Sequence, residues 1–264
     1  MTNDLITVIT VVLNKKEELE KTIQSVANQT YKNVEHIIID GGSKDGTLNV
    51  IRKYQHTIRA WISEPDEGIY DAMNKGIRLA KGDWINFMNA GDIFYNADSV
   101  SLLSDYFRSD VSLIYGDVEI DYTVFKRTQR AKHISTLWKG IVCCHQSVFI
   151  KRQILDKLMF NSKYNLAADY ELLCRAYLGG CRAAKVDMII SRVTNGGQAD
   201  LKRVEVLREF KRVACRNFKA KAAYISVRYQ ALILVEKVKM WVKRYFPEHV
   251  VNLFIKQKYG LDKK

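Results

Sequence analysis

Residues 5–13 read LITVITVVL, an unbroken run of β-branched and aliphatic residues with no polar face. A strand with one side in water alternates apolar and polar residues. A strand without alternation is buried on both sides, the position of an interior strand in a parallel sheet covered by helices. Asn14 follows, with Glu17 three residues on, the spacing of a capping box at a helix start. Leu19, Ile23 and Val26 then give that helix one apolar face. The unit repeats: VEHIII (34–39) is a second strand, the turn DGGSKDG leads into a helix through Ile51, and TIRAWIS (57–63) is a third strand. A helix is expected over about 69–80, and WINFM (84–88) is a fourth strand. Strand and helix alternating at this spacing demand right-handed crossovers, and hence an α/β fold with a mostly parallel, Rossmann-like sheet flanked by helices.

Beyond residue 110 the pattern loosens. SLIYGDVEI (112–120) reads as a strand, 122–135 as ribbon or loop, 164–178 as helix and 183–190 as strand; from 201 the chain is helical and basic, broken at Pro247. A length of 264 residues suits one large domain with an appendage, divided here into residues 1–200 and 201–264. Charge supports the division. Residues 1–200 hold 25 Lys/Arg against 24 Asp/Glu, whereas 201–264 hold 17 against 5, so nearly all of the net charge of +13 belongs to the tail. Any polyanionic partner should meet the protein there.

No stretch approaches the roughly 20 apolar residues of a spanning helix. The N-terminus has neither the basic n-region nor the cleavage site of a secretory signal. Five cysteines, an odd number without paired metal-ligand spacing, fit a reduced cytoplasm.

In an open parallel sheet, ligands bind beyond the carboxyl ends of the strands. Asp40 directly follows the second strand and Asp92, in NAGD (89–92), follows the fourth; Asp66 and Asp71 flank the start of the third helix. Each alone is ordinary turn or cap chemistry. Together they share one edge, where converging carboxylates repel unless a cation or hydrogen-bond donors offset them.

The stretches ITVVLN, QTYKNVEHIIIDGGSKDGT and SEPDEGIYDAMNKGIRLAKGDWINFMNAGD resemble family 2 glycosyltransferases of the GT-A fold. The likeness is to bacterial enzymes that build capsule, O-antigen and exopolysaccharide repeat units. It is strong over about residues 5–95 and thinner through CCHQSVFIKR (143–152) and AADYELLCRA (167–176). The resemblance implies that Val11, Val12 and Leu13 line the nucleotide of a nucleotide-sugar donor, with a UDP-sugar expected, and that Asp40 bonds its base. It implies that Asp71 and Asn74, at a helix start, face the nucleotide and diphosphate. NAGD stands where the family carries Asp-Ala-Asp-Asp. Asn89 and Gly91 replace two acids, leaving Asp92 as the charged metal ligand for Mn²⁺ or Mg²⁺ and Asn89 to add a neutral oxygen or meet the ribose. One carboxylate with substrate phosphates and water can still hold such an ion. The family's Glu-Asp pair falls on Ala168 and Asp169, so Asp169 is the expected general base of an inverting transfer. His145, in CCHQS, is a candidate for contact with the diphosphate or the acceptor.

In the tail, Val227, Ala231, Leu234, Val238, Trp241 and Tyr245 recur at helical spacing, with Arg228, Lys239, Lys243 and Arg244 largely opposite; after Pro247 comes a second apolar stretch, VVNLFIKQKY (250–259). Two readings stand: docking on the catalytic domain with a solvated basic face, or in-plane attachment to anionic lipid at the inner face of the plasma membrane, beside a lipid-linked acceptor. Asn89, Gly91 and Ala168 leave a catalytically degenerate nucleotide- or polyanion-binding relative as the alternative. A nucleotidyltransferase would carry a glycine-rich phosphate loop after the first strand, which VVLNKKEEL lacks. No recognition motif supports specific nucleic-acid binding.

Overall fold

The structure, a computed structural model, describes residues 4–197 and 201–245. Its first part follows the expected alternation: β1 (Ile6–Val12), α1 (Lys16–Ala27), β2 (Val34–Asp40), α2 (Thr47–Lys53), β3 (Ala60–Ser63), α3 (Ile69–Leu79) and β4 (Trp84–Phe87). These strands lie in the order β3-β2-β1-β4 and pair in parallel. All seven residues of β1 are buried, as its lack of a polar face requires. Each fully buried aliphatic side chain contributes about 1.5–3 kcal/mol through loss of apolar surface to water. Helix α3 lies close over the sheet because Gly76 has no side chain: a Cβ there would sit 2.5 Å from Ile9 Cγ2.

The sheet continues to nine strands with β5 (Ile93–Phe94), β6 (Leu113–Asp121), β7 (Lys126–Gln129), β8 (Val148–Lys151) and β9 (Ala183–Thr194). β8 lies between β4 and β6 and runs against both, while β9 is parallel to β6. A strand that opposes its neighbours begins at the edge where they end. The turn before β8 therefore emerges at the carboxyl ends of the parallel strands.

Polar residues inside the strands are satisfied locally. Glu35, within VEHIII, accepts from Thr7 Oγ1 (2.5 Å) and from the backbone N–H groups of Lys81 (2.6 Å) and Gly82 (3.0 Å). His36 lies 2.8 Å from Thr10 Oγ1, and burial pushes its pKa down to about 3, so it is neutral and structural.

The expected capping box at Asn14 is not formed. Helix α1 starts at Lys16 with no side-chain cap from its own N-cap residue. Asp45 Oδ2 from the next loop accepts instead from Lys16 N–H (3.1 Å). Asn14, at φ +51°, accepts from Lys44 N–H through Oδ1 (2.8 Å), tying the loops after β1 and β2 together. A cap supplied across a loop carries no local spacing.

The C-terminal half adds α4 (Arg152–Leu158), α5 (Ala168–Leu178), α6 (Arg203–Asn217) and α7 (Ala222–Tyr245). Leu207, Val213, Ile225 and Tyr229 belong to the same buried cluster as Ile9 and Met73, so the described part of the tail shares the core of the α/β fold. Pro247 and the stretch 250–259 lie outside the described residues.

Candidate active site

The site begins where β4 ends. Residues 89–92 form a tight turn closed by Asp92 N–H donating to the Asn89 carbonyl (2.9 Å). Gly91 sits at φ +103°, a conformation that L side chains rarely adopt, which is a physical reason for glycine in that place. Thr22 of α1 holds the turn from below, donating to the Asp92 carbonyl (2.8 Å) and accepting from Gly91 N–H (3.0 Å).

The Asp92 side chain accepts from Gln146 Nε2 at 2.5 Å. Cys144 Sγ donates to Gln146 Oε1 (2.8 Å), which fixes the amide with its NH₂ toward the carboxylate. Burial pushes the Asp92 carboxyl above the usual carboxylate range, and the Gln146 hydrogen bond partly offsets this.

His145 and Gln146 arrive on the turn before β8. Asn86, buried inside β4, anchors that turn by donating through Nδ2 to the carbonyls of Gln146 (3.0 Å) and Val148 (2.9 Å). His145 then bridges two segments: Nε2 is 3.0 Å from Asn89 Nδ2, and Nδ1 is 3.5 Å from Asp169 Oδ2. With Asn89 donating to Nε2, the ring proton lies on Nδ1, facing Asp169.

Asp169 stands in the first turn of α5. Its Oδ1 accepts from Tyr70 Oη (3.2 Å) and from Tyr170 N–H (2.8 Å). Burial, with the nearby Asp169 charge, raises the Tyr70 phenol well above its ordinary pKa, so it remains a donor. Asn89, His145, Asp169 and Tyr70 thus form one linked chain, and its central carboxylate has donors facing both oxygens.

Tyr70 and Gln146 were not singled out from sequence. Their only signal was adjacency, Tyr70 preceding Asp71 and Gln146 following His145.

Other expected residues are placed differently. Asn74 is turned inward, because at i+4 from Tyr70 it shares the buried face of α3. Its amide donates to the Phe160 carbonyl (2.9 Å) and accepts from Phe160 N–H (2.8 Å). The expectation that Asn74 faces the diphosphate is corrected: it clamps the chain after α4. Val11 and Val12 do not present side chains to a cleft either, since β1 is covered on both faces and the two belong to opposite core clusters; Leu13, 53% exposed, is the one that reaches the surface. Asp71 is engaged within its own turn, accepting from Glu67 N–H (3.2 Å) and pairing with Lys75 (3.4 Å).

Asp40 lies at the end of β2, fully buried. It accepts from Ser63 Oγ (2.6 Å) and from Ser43 N–H (3.1 Å to Oδ2). Asp66 comes beside it: a Cβ at Gly41 would stand 2.5 Å from Asp66 Oδ2. The Asp66 carboxylate thus lies against the backbone directly after Asp40. Asp40→Ala would remove the acceptor of two part-buried donors, and we expect a stability loss of about 1 kcal/mol. A urea midpoint equal to that of the parent chain would contradict this.

Among the described residues, no group of three or more His, Cys, Asp or Glu is arranged to hold a metal ion. Asn89 Oδ1, however, is buried without a hydrogen-bond partner, on the same short turn as the Asp92 carboxylate. One carboxylate and one orphaned neutral oxygen make an incomplete donor set. They fit a hard cation that completes its shell with phosphate oxygens and water, rather than one held by protein alone.

The sheet order, with a turn bearing an acid at the end of β4, defines a GT-A-type α/β fold. Among solved structures, the chain is similar to the mannosyltransferase PcManGT from Pyrobaculum calidifontis in complex with GDP-Man and Mn²⁺, with a TM-score of 0.67, 16% identity, and coverage of 100% of this chain and 82% of that one. It is also similar to S. aureus TarS 1-349 in complex with UDP, with a TM-score of 0.65, 14% identity, and coverage of 85% of this chain and 69% of that one. Against the same TarS fragment in a second structure, it spans 65% of that chain. The model of glycosyl transferase family 2 matches residues 7–189, and the chain belongs to that family. A PGL/p-HBAD biosynthesis glycosyltransferase from Mycobacterium bovis is 30% identical over 183 residues, covering 67% of this chain and 71% of the relative. The protein is a glycosyltransferase.

Proposed function

We propose that the protein transfers a sugar, with inversion, from a UDP-sugar to a hydroxyl of a lipid-linked or saccharide acceptor in the assembly of a bacterial surface polysaccharide. One observation carries this reading: Asp169 is held by donors on both oxygens and joined through His145 to the turn that bears Asp92. A carboxylate fixed in this way suits a general base.

As the acceptor oxygen attacks the anomeric carbon, Asp169 takes its proton. The bond from that carbon to the phosphate oxygen breaks, and the electron pair leaves with the nucleoside diphosphate. Tyr70 and His145 keep the carboxylate aimed as the proton arrives. Asp92, with Asn89 Oδ1, would hold Mn²⁺ or Mg²⁺, which when bound neutralises charge on the departing diphosphate. The loops after β1 and β2, joined by Asn14 and Lys44 and carrying Leu13 and Asp40, are the proposed seat of the base and ribose. UDP bound to TarS and Mn²⁺ with GDP-Man bound to PcManGT support a nucleotide-sugar donor of this kind and a divalent ion.

The test is a panel of nucleotide sugars assayed for slow hydrolysis with Mn²⁺, with Mg²⁺ and with chelator. A UDP-sugar should be consumed in a metal-dependent manner. Turnover unaffected by chelator would remove the metal, and a guanosine or thymidine donor used in preference would replace UDP.

A further inference from the structure

The apolar residues of the tail at helical spacing do not face the catalytic domain. Helix α7 docks through a different side, with Ile225 and Tyr229 fully buried and Leu232 and Ile233 packed against the core. The line identified from sequence points outward: Val227 is 68% exposed, Leu234 63% and Val238 51%, with Val235 beside it at 50%. The helix therefore has two apolar faces, one closed on the protein and one open. Lys237 and Lys239, both exposed, flank Val238. Among the described residues no helix is long and apolar enough to cross a membrane.

The patch extends onto the catalytic domain. The Trp138 ring packs against Tyr224 at 5.7 Å between centroids, and Lys221 and Lys139 place their ammonium groups 4.5 and 4.9 Å from its centre. Aromatic rings ringed by lysines at the rim of an apolar strip suit a membrane–water interface, where the ring sits at headgroup level and the ammonium meets phosphate.

We propose that the outer face of α7, with Trp138 and Tyr224 at its end, is an in-plane docking surface for an anionic lipid bilayer. The choice of occupant rests on charge: residues 201–264 carry 17 Lys/Arg against 5 Asp/Glu, complementary to anionic headgroups. The contact is rigidly related to the chemistry. Tyr229 Oη donates to the Lys139 carbonyl (3.2 Å), and Tyr170, next to Asp169, donates to the carbonyl of Leu137 in the same segment. A bilayer on this face thus has a fixed position relative to the candidate base. That goes beyond the catalytic reading and does not depend on it.

The test uses the full chain with vesicles of phosphatidylcholine alone and of phosphatidylcholine with phosphatidylglycerol. The protein should sediment with the anionic vesicles at low ionic strength, remain free of the neutral ones, and be released at 1 M salt, where the screening length falls to about 3 Å. The double variant Leu234→Ser/Val238→Ser keeps every charge and should bind the anionic vesicles about 10-fold more weakly or worse, with an unchanged melting temperature and unchanged donor hydrolysis. Failure of the catalytic reading would appear in the hydrolysis assay, not in sedimentation. No vesicle binding by the full chain at low salt overturns the proposal. So does undiminished binding by the double variant, which would make the tail a general polyanion binder. A concentration-dependent dimer abolished by the variant, without vesicle binding, assigns the face to a second copy; binding that appears only after removal of residues 246–264 assigns it to the chain's own end. Either result overturns the proposal as well.

Discussion

Asp169→Asn should lower glycosyl transfer by about 10²- to 10⁴-fold while leaving donor and metal affinity near the parent values. The change removes the proton acceptor and, at the second oxygen, the partner of His145 Nδ1. An asparagine Oδ1 still accepts from Tyr70 Oη and Tyr170 N–H, the two partners of the aspartate Oδ1. The lost rate corresponds to about 3–5 kcal/mol of transition-state stabilisation. Calorimetry with a nucleotide sugar and Mn²⁺ reads the binding side, and product formation on an acceptor reads the chemical side. If the variant transfers sugar at close to the parent rate, the base is another residue, and the linked chain through His145 has a different purpose.

Asp92→Asn should act in the opposite sense on function and on stability. Its carboxylate is the only charged group of the NAGD turn, so metal-supported donor binding and turnover should both fall by at least about tenfold, in line with the loss of a charged group from a ligand contact. Without metal the outcome reverses. The carboxyl pKa is raised in the folded protein, chiefly by burial, so at neutral pH the ionised form destabilises the fold relative to a neutral side chain. The sign follows from linkage: an acid with a raised folded pKa favours the folded state only as pH falls through that pKa. Asparagine occupies the same volume and can still accept from Gln146 Nε2. Its thermal midpoint in chelator should therefore equal or exceed that of the parent. A lower midpoint together with lost binding would mean that the variant is simply less well folded. Normal Mn²⁺-supported donor binding would reduce NAGD to a turn.

How much of this could be read from sequence depends on the range of the interaction. The alternation through WINFM was legible because burial on both faces leaves β1 without a polar side and because short strand-like runs recur between helical stretches at a regular spacing. The capping box at Asn14 failed because the real cap, Asp45, lies in another loop. Asn74 was placed at the ligand edge by likeness; its i+4 relation to Tyr70 points inward only once Tyr70 is known to be buried. The antiparallel sense of β8 was invisible, since a stretch as short as VFIK looks the same in either direction. Without that direction, nothing but motif likeness could bring His145 toward the end of β4. Tyr70 and Gln146 act through partners 99 and 54 residues away, and such pairs leave no periodic trace.

Those separations also set an order in time. β1 to β4 complete their parallel pairings within the first 87 residues of the chain. Tyr70 must wait for Asp169, and Asn89 for His145, 56 residues later. Closing the longer loop costs little more entropy than closing the shorter one, because the penalty grows only with the logarithm of length. The delay is instead one of synthesis, as an N-terminal segment folds while the rest is still being made. A nascent chain can thus possess a parallel sheet and the NAGD turn before it owns Asp169, the proposed base. On the proposed reading a chain halted before residue 169 holds the turn for the departing diphosphate without a base for the acceptor, so it could not yet spend an activated sugar on transfer.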